Sequence, residues 1–189
     1  MRWHLASQLA GSVGLALLYL AGAQASRVFA VPPGYASMVW LPAGIALAAA
    51  MRFKPEVLVG VVLGSGLNNS MIGASPWAGL LIGIGAALQA WVGARFIGDC
   101  CLRTWRCIAK IVLLGGALGC LVNSHIGPRF LALFGAIEWA NLPENSARWW
   151  LGDTLGVVLF APISLLVIDR CRQTSPKPSS PSPSCSPQS

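Results

Sequence analysis

Few residues in this sequence have the chemistry to move a proton, hold a metal or attack a carbon. There are two histidines, His4 and His125, six cysteines and six acidic residues. The histidines are far apart, so no pair at i and i+4 can grip a metal. Cys100, Cys101, Cys107, Cys120, Cys171 and Cys185 follow no zinc spacing, and no histidine lies near the 100–107 group. No glycine-rich phosphate loop is present, and no serine or cysteine has an evident base partner. The expectation is a protein that is not an enzyme, with no metal and no cofactor.

One acid is set differently from the rest. Asp153 lies inside Trp149-Trp150-Leu151-Gly152-Asp153-Thr154-Leu155-Gly156, with Phe160-Ala161-Pro162 just beyond. Placed about one turn inside an apolar helix, it is expensive to keep there and therefore a functional candidate. The plainer reading is an acid near a positive helix N-terminus, worth about 0.3–1 kcal/mol, and on physical grounds the two stand level. Pro162 removes one bond from the same helix. A second segment, Trp40-Leu41-Pro42-Ala43-Gly44, reads as a helix start. Proline costs little in a first turn, and tryptophan suits the headgroup region.

The elements that carry these residues follow from composition. Charged residues are 10% of the 189-residue chain and hydrophobic ones 55%, with mean hydropathy +0.65. A soluble domain carries roughly 25% charge, so a soluble enzyme domain and a disordered chain are both excluded. An all-α, polytopic membrane bundle remains. Six spans fit, at about 5–25, 34–52, 57–75, 77–97, 108–127 and 148–168. The uncharged stretch from Val57 to Ala94 is too long for one crossing and breaks at Asn68, Asn69, Ser70, Gly73, Ser75 and Pro76. The first run exceeds a signal-peptide core, so it is read as a retained helix. The fifth helix is expected to stop at Gly127-Pro128. Phe130, Leu131, Leu133, Phe134 and Ile137 then suit an interfacial helix in the 129–145 connection. The domain reading is a membrane domain over 5–170 and a disordered Ser/Pro-rich tail over 171–189. The last 16 residues hold seven serines and five prolines.

Charge orients the bundle. With the N-terminus inside, inner segments hold ten basic residues and outer segments three, Arg27, Arg129 and Arg148. That bias predicts both termini in the cytoplasm of a multi-pass protein of the cell inner membrane. The net charge of +7 is then a matter of topology and anionic lipid, with no nucleic-acid partner. Cysteines on the cytoplasmic side are expected to be reduced thiols. Glycines recur four apart at 60/64, 79/83, 115/119 and 152/156, which suits close helix packing in lipid. In this topology Trp40, Asn68, Asn69, Trp77, His125, Arg129, Arg148, Trp149, Trp150 and Asp153 share the outer side, where they are expected to form a vestibule.

At these residues the sequence resembles the MASE1 family of bacterial membrane-integral sensory domains. The resemblance rests on Val39–Leu47, on Arg52 with Pro55, on Gly64 with Asn68, and most of all on Trp149–Val157 with Ala161-Pro162. It implies an input module of bacterial signal transduction, followed by a cytoplasmic histidine kinase, diguanylate cyclase or phosphodiesterase. That family is credited with about eight helices, against six here, and a Ser/Pro segment stands where an output domain is expected. The resemblance therefore implies a shortened form or a fragment of a longer protein. The residues expected to sense or transmit are Trp40, Pro42, Gly44, Asn68, Trp149, Trp150, Gly152, Asp153, Gly156 and Pro162. The partners expected are the lipid bilayer, a kinase, cyclase or other membrane protein, and a second copy in a homodimer. A competing reading is a small six-helix substrate-binding component of a membrane transporter.

Overall fold

The structure is a computed structural model that describes residues 2–30, 37–100, 102 and 104–174, with side chains from Gln8 to Gln173 among them. Of the tail expected over 171–189, residues 171–174 belong to the last helix, and the rest, from residue 175 onward, lies outside the described residues. Among the described residues seven α-helices follow one another: α1 (Arg2–Ser26), α2 (Leu41–Arg52), α3 (Val59–Met71), α4 (Pro76–Ile97), α5 (Trp105–Lys110), α6 (Leu121–Leu133) and α7 (Leu142–Thr174). A π-helical segment, Ile111–Leu118, joins α5 to α6, so these three form one continuous rod. Six rods result, in the expected order, and the protein is an all-helical membrane bundle.

Four rods are long and apolar enough to cross a bilayer: Gln8–Phe29, Pro76–Ile97, Trp105–Leu133 and Trp139–Gln173. The other two are shorter than expected. At 1.5 Å per residue, α2 and α3 reach only about 18–20 Å, against a hydrocarbon core of about 30 Å. α2 compensates by burial. Pro42, Ala43, Gly44, Ala46, Leu47, Ala48 and Ala49 are all enclosed, and α2 contributes to both of the larger apolar clusters. It is the central helix, wrapped by α1, α4 and α7.

Three expectations are corrected. The fifth helix does not stop at Gly127-Pro128. α6 runs through Pro128 to Leu133, and Leu131 is packed with Ala74, Ala78 and Ile82 rather than lying at an interface. Proline forfeits one ladder bond, but the flat Trp149 ring packs against Gly127, where a Cβ would come within 3.0 Å of it. The sixth helix begins at Leu142, so Asp153 lies three turns inside α7 instead of one. An acid that deep gains little from the helix N-terminus, whose field fades within the first turn. Finally, Cys100 and Cys107 are joined in a disulfide, with Cα atoms 5.4 Å apart. Gly98, at φ +64°, turns the chain out of α4, and the first turn of α5 brings Cys107 back to Cys100. The expectation of reduced thiols came from compartment alone and could not register this proximity.

Three of the four glycine pairs do what their spacing implied, while Gly119 meets only Gly115 and Leu114 of its own rod. Gly60 and Gly64 seat α3 on α1, where added Cβ atoms would meet the backbone of Ser12 and Ala16 and the Tyr19 side chain. Gly79 and Gly83 seat α4 against the α3 carbonyls of Gly66 and Val62. Such approaches maximise packing where no hydrophobic force separates helix from lipid.

Candidate functional site: a buried polar core at the α2–α7 contact

The two segments singled out by sequence touch each other. The Trp40 backbone N–H donates to the Gly152 carbonyl at 2.9 Å, joining the entry to α2 to the side of α7. Gly152 lies against the Ser37 carbonyl and Gly156 against the Trp40 carbonyl, each closer than any Cβ would permit. One turn on, Gly44 faces the backbone of Gly156, Phe160 and Ala161, just before Pro162. Pro42 occupies the first turn of α2 and is fully buried. The approach to α2 is tied to α1 as well. Ser26 Oγ accepts from the Leu41 N–H at 3.0 Å, and Ser37 Oγ donates to the Ser26 carbonyl at 2.7 Å.

This close contact holds Asp153 at the centre of the bundle, 2% exposed. Its Oδ2 accepts from Gln89 Nε2 on α4 at 2.9 Å. Gln89 Oε1 in turn accepts from the Asn123 backbone N–H on α6 at 3.3 Å. Asn123 Oδ1 is buried with no donor of its own. Trp40 Nε1 donates to the Tyr19 hydroxyl at 3.3 Å, which brings α1 to the same place. Ion pairs among the described residues are Arg52–Asp169 and Arg148–Glu144, so Asp153 faces no paired cation.

Two small cavities adjoin the carboxylate. One, of about 10 Å³, runs deeper between Ala43, Leu47, Ala86 and Val157. The other, of about 20 Å³, is lined by Ser65, Asn68, Asn69 and Trp149. Tyr19, Trp40, Asn123 and Asp153 border both. Each has room for about one water. The expected vestibule does not form as one cavity: His125 and Arg129 line a separate, open pocket of about 340 Å³ with Ile126, Phe130, Leu133 and Trp139. Its polar members divide instead. Asn68, Asn69 and Asp153 are buried, while Trp77, His125 and Arg129 are exposed.

Trp150 faces the other way. Its Nε1 donates to the Ala117 carbonyl at 2.8 Å, and Thr154 Oγ1 donates to the Gly116 carbonyl at 3.4 Å. Both carbonyls belong to the π-helical segment, whose i→i+5 pattern disturbs the regular ladder. Trp150 supplies a donor to the first, and Thr154, four residues on, adds a second donor to the other, which also accepts from the Cys120 N–H at 3.1 Å. Sequence reading missed Tyr19, Gln89 and Asn123. Gln89 and Asn123 are lone amides inside apolar runs, a signal that was available. Tyr19 carried none.

At the other end of the bundle α2 and α7 meet again. Arg52 Nε and Nη2 donate to Asp169 Oδ1 and Oδ2 at 2.8 and 3.0 Å, a two-point grip. Arg172 donates to the Arg52 carbonyl and sits over the Phe53 ring, 4.9 Å from its centre.

A helical membrane bundle with a tight two-helix contact around one buried acid is the class of protein these features define. The MASE1 family profile matches residues 9–186, nearly the whole chain, and the chain belongs to that family. MASE1 domains are membrane-associated sensory modules, not catalytic ones, and are usually linked to cytoplasmic output domains such as kinases or cyclases. No curated protein and no solved structure matches the chain.

Proposed function

We propose that this chain is a multi-pass input domain of the bacterial inner membrane, with both termini in the cytoplasm. It registers a stimulus at the buried core around Asp153 and passes it to a histidine kinase, a diguanylate cyclase or another membrane protein. One observation carries this reading: α2 and α7 grip each other at both ends. Asp153 lies at one grip and Asp169 at the other, 16 residues on, or about 24 Å along an α-helix. A change in packing at Asp153 alters how α7 sits on α2, and α7 is the element that leads to the C-terminal side. Such coupling requires a stimulus that favours one of two packings over the other. The transporter reading is less well supported, because the cavities at this site are water-sized rather than vitamin-sized.

The test fuses the whole chain to a diguanylate cyclase catalytic domain and measures cyclic dinucleotide in cells. Asp153→Asn and Arg52→Ala are expected to shift output several-fold at unchanged membrane abundance. Equal output from both variants and wild type would overturn the reading.

A further inference from the structure

Asp153 is enclosed by five elements, and none of their described side chains presents a base to it. It is faced by Tyr19 on α1, Trp40 at the entry to α2, Asn68 on α3, Gln89 on α4, and Cys120 and Asn123 at α6. Tyr19 and Cys120 are the titratable groups among these, and neither brings a positive charge. An ionised carboxylate in such surroundings needs a counter-charge, since burying an unpaired ion is far costlier than burying a paired one.

The surroundings also supply space and oxygen. The larger cavity touches Asp153 and is bordered by the side chains of Tyr19, Ser65, Asn68 and Asn123. All four carry oxygen atoms, and all four residues are at least nine-tenths buried. Asn123 Oδ1 has no hydrogen-bond donor, although a buried acceptor is normally satisfied. Gly85 leaves the room this oxygen occupies, because a Cβ there would collide with it. An acceptor without a donor, beside an acid without a base, at a water-sized cavity, is an arrangement that a small cation completes.

We propose that Asp153, with the cavity between Tyr19, Ser65, Asn68 and Asn123, binds one small alkali cation, Na⁺. One carboxylate matches one positive charge. No group of three or more acidic, histidine or cysteine side chains able to hold a metal occurs among the described residues, which disfavours a multivalent ion. Hard oxygen donors suit such a cation, and the cavity of about 20 Å³ holds it with little or no water. A proton competes for the same carboxylate. The proposal deepens the input-domain reading by naming the chemistry of the stimulus. Binding is measured on the protein without any output domain, so the two readings fail separately.

The experiment follows thermal unfolding of the purified full-length chain in detergent while NaCl replaces choline chloride at constant ionic strength. In wild type the midpoint should rise by several degrees and saturate. At pH 6 the rise should need several-fold more Na⁺ than at pH 8. Ser65→Ala should weaken the response, and Asp153→Asn should abolish it. Identical midpoints in NaCl and choline chloride at both pH values overturn the proposal, and this wild-type comparison decides even if Asp153→Asn fails to fold. A folded Asp153→Asn protein that keeps the Na⁺-dependent rise overturns it equally.

Discussion

Gly156 shows how much a single hydrogen atom in place of a methyl group can decide. Its Cα lies against the Trp40 carbonyl, so any side chain there must push α2 away from α7. Gly156→Ala is expected to destabilise the bundle by about 1–3 kcal/mol, the usual cost of overpacking. Gly14 on α1 has open space where a Cβ would go, so Gly14→Ala should change stability by less than about 0.5 kcal/mol. Thermal unfolding in detergent separates the two. Trp150→Phe keeps the apolar bulk but removes the donor to the Ala117 carbonyl. The same measurement should register a loss of about 1–2 kcal/mol, the cost of an unmade hydrogen bond to a partly buried group. The residue types that matter here were legible in advance. Trp40, Gly152, Asp153 and Gly156 were singled out from the sequence and now lie within one contact. Their partners were not, because Gln89 and Asn123 reach Asp153 across three different helices. Nothing in a linear sequence orders those helices around one another.

At the scale of elements, the pairing of α2 with α7 organises the molecule. α2 is too short to span alone, yet its alanines and glycine let it sit in the middle of the bundle. The charged grip at its far end joins Arg52 to Asp169, with the side chains 16% and 36% exposed. Arg52→Ala and Asp169→Ala should each cost about 1 kcal/mol, and a double-mutant cycle should recover a coupling of about 0.5–1 kcal/mol. A coupling near zero would mean that the two helices are held by apolar packing alone. Element identity was readable because hydropathy and charge breaks divide the chain into six apolar runs. Element ends were less readable. Pro128 looked like a stop, but stacking between Gly127 and Trp149 keeps α6 going. The start of α7 at Leu142 hides in a polar stretch, Glu144, Asn145 and Ser146, which lacks the apolar signal of a span but is helical all the same. That misplaced start is why Asp153 looked like a residue of the first turn.

At the scale of the whole molecule, most of the described basic residues gather at one end of the bundle, Arg27, Arg129 and Arg148 excepted. Arg52, Lys54, Arg95, Arg106, Lys110, Arg170 and Arg172 lie toward the C-terminal end of α2, α4 and α7 and along α5. The opposite end carries the α3–α4 turn, the end of α6 and the start of α7, packed around Ala74, Ala78, Ile82 and Leu131. The positive-inside rule predicts that the basic end lies in the cytoplasm. Single cysteines at the exposed positions Lys54 and Asn141, in an otherwise cysteine-free background, provide the check. A membrane-impermeant maleimide should label Asn141→Cys in intact spheroplasts and Lys54→Cys only in inverted vesicles. The reverse pattern would invert the orientation.

By itself the sequence determined the class of this protein. Scarce charge, long apolar runs and a sorted set of basic residues leave a membrane helix bundle as the only inexpensive way to bury its backbone. It also marked Asp153, because an acid in an apolar run stands out wherever it falls. Only the tertiary structure decided what surrounds that acid. Helix packing in lipid is governed by close fit rather than by hydrophobicity, and fit between Gly152, Gly156 and the Ser37–Trp40 backbone cannot be read one helix at a time. That fit gathers Asn68, Asn69, Trp149 and Asp153 around a water-sized cavity and leaves His125 and Arg129 on a separate open pocket. It also moved Asp153 from the first turn of its helix to the centre of the bundle.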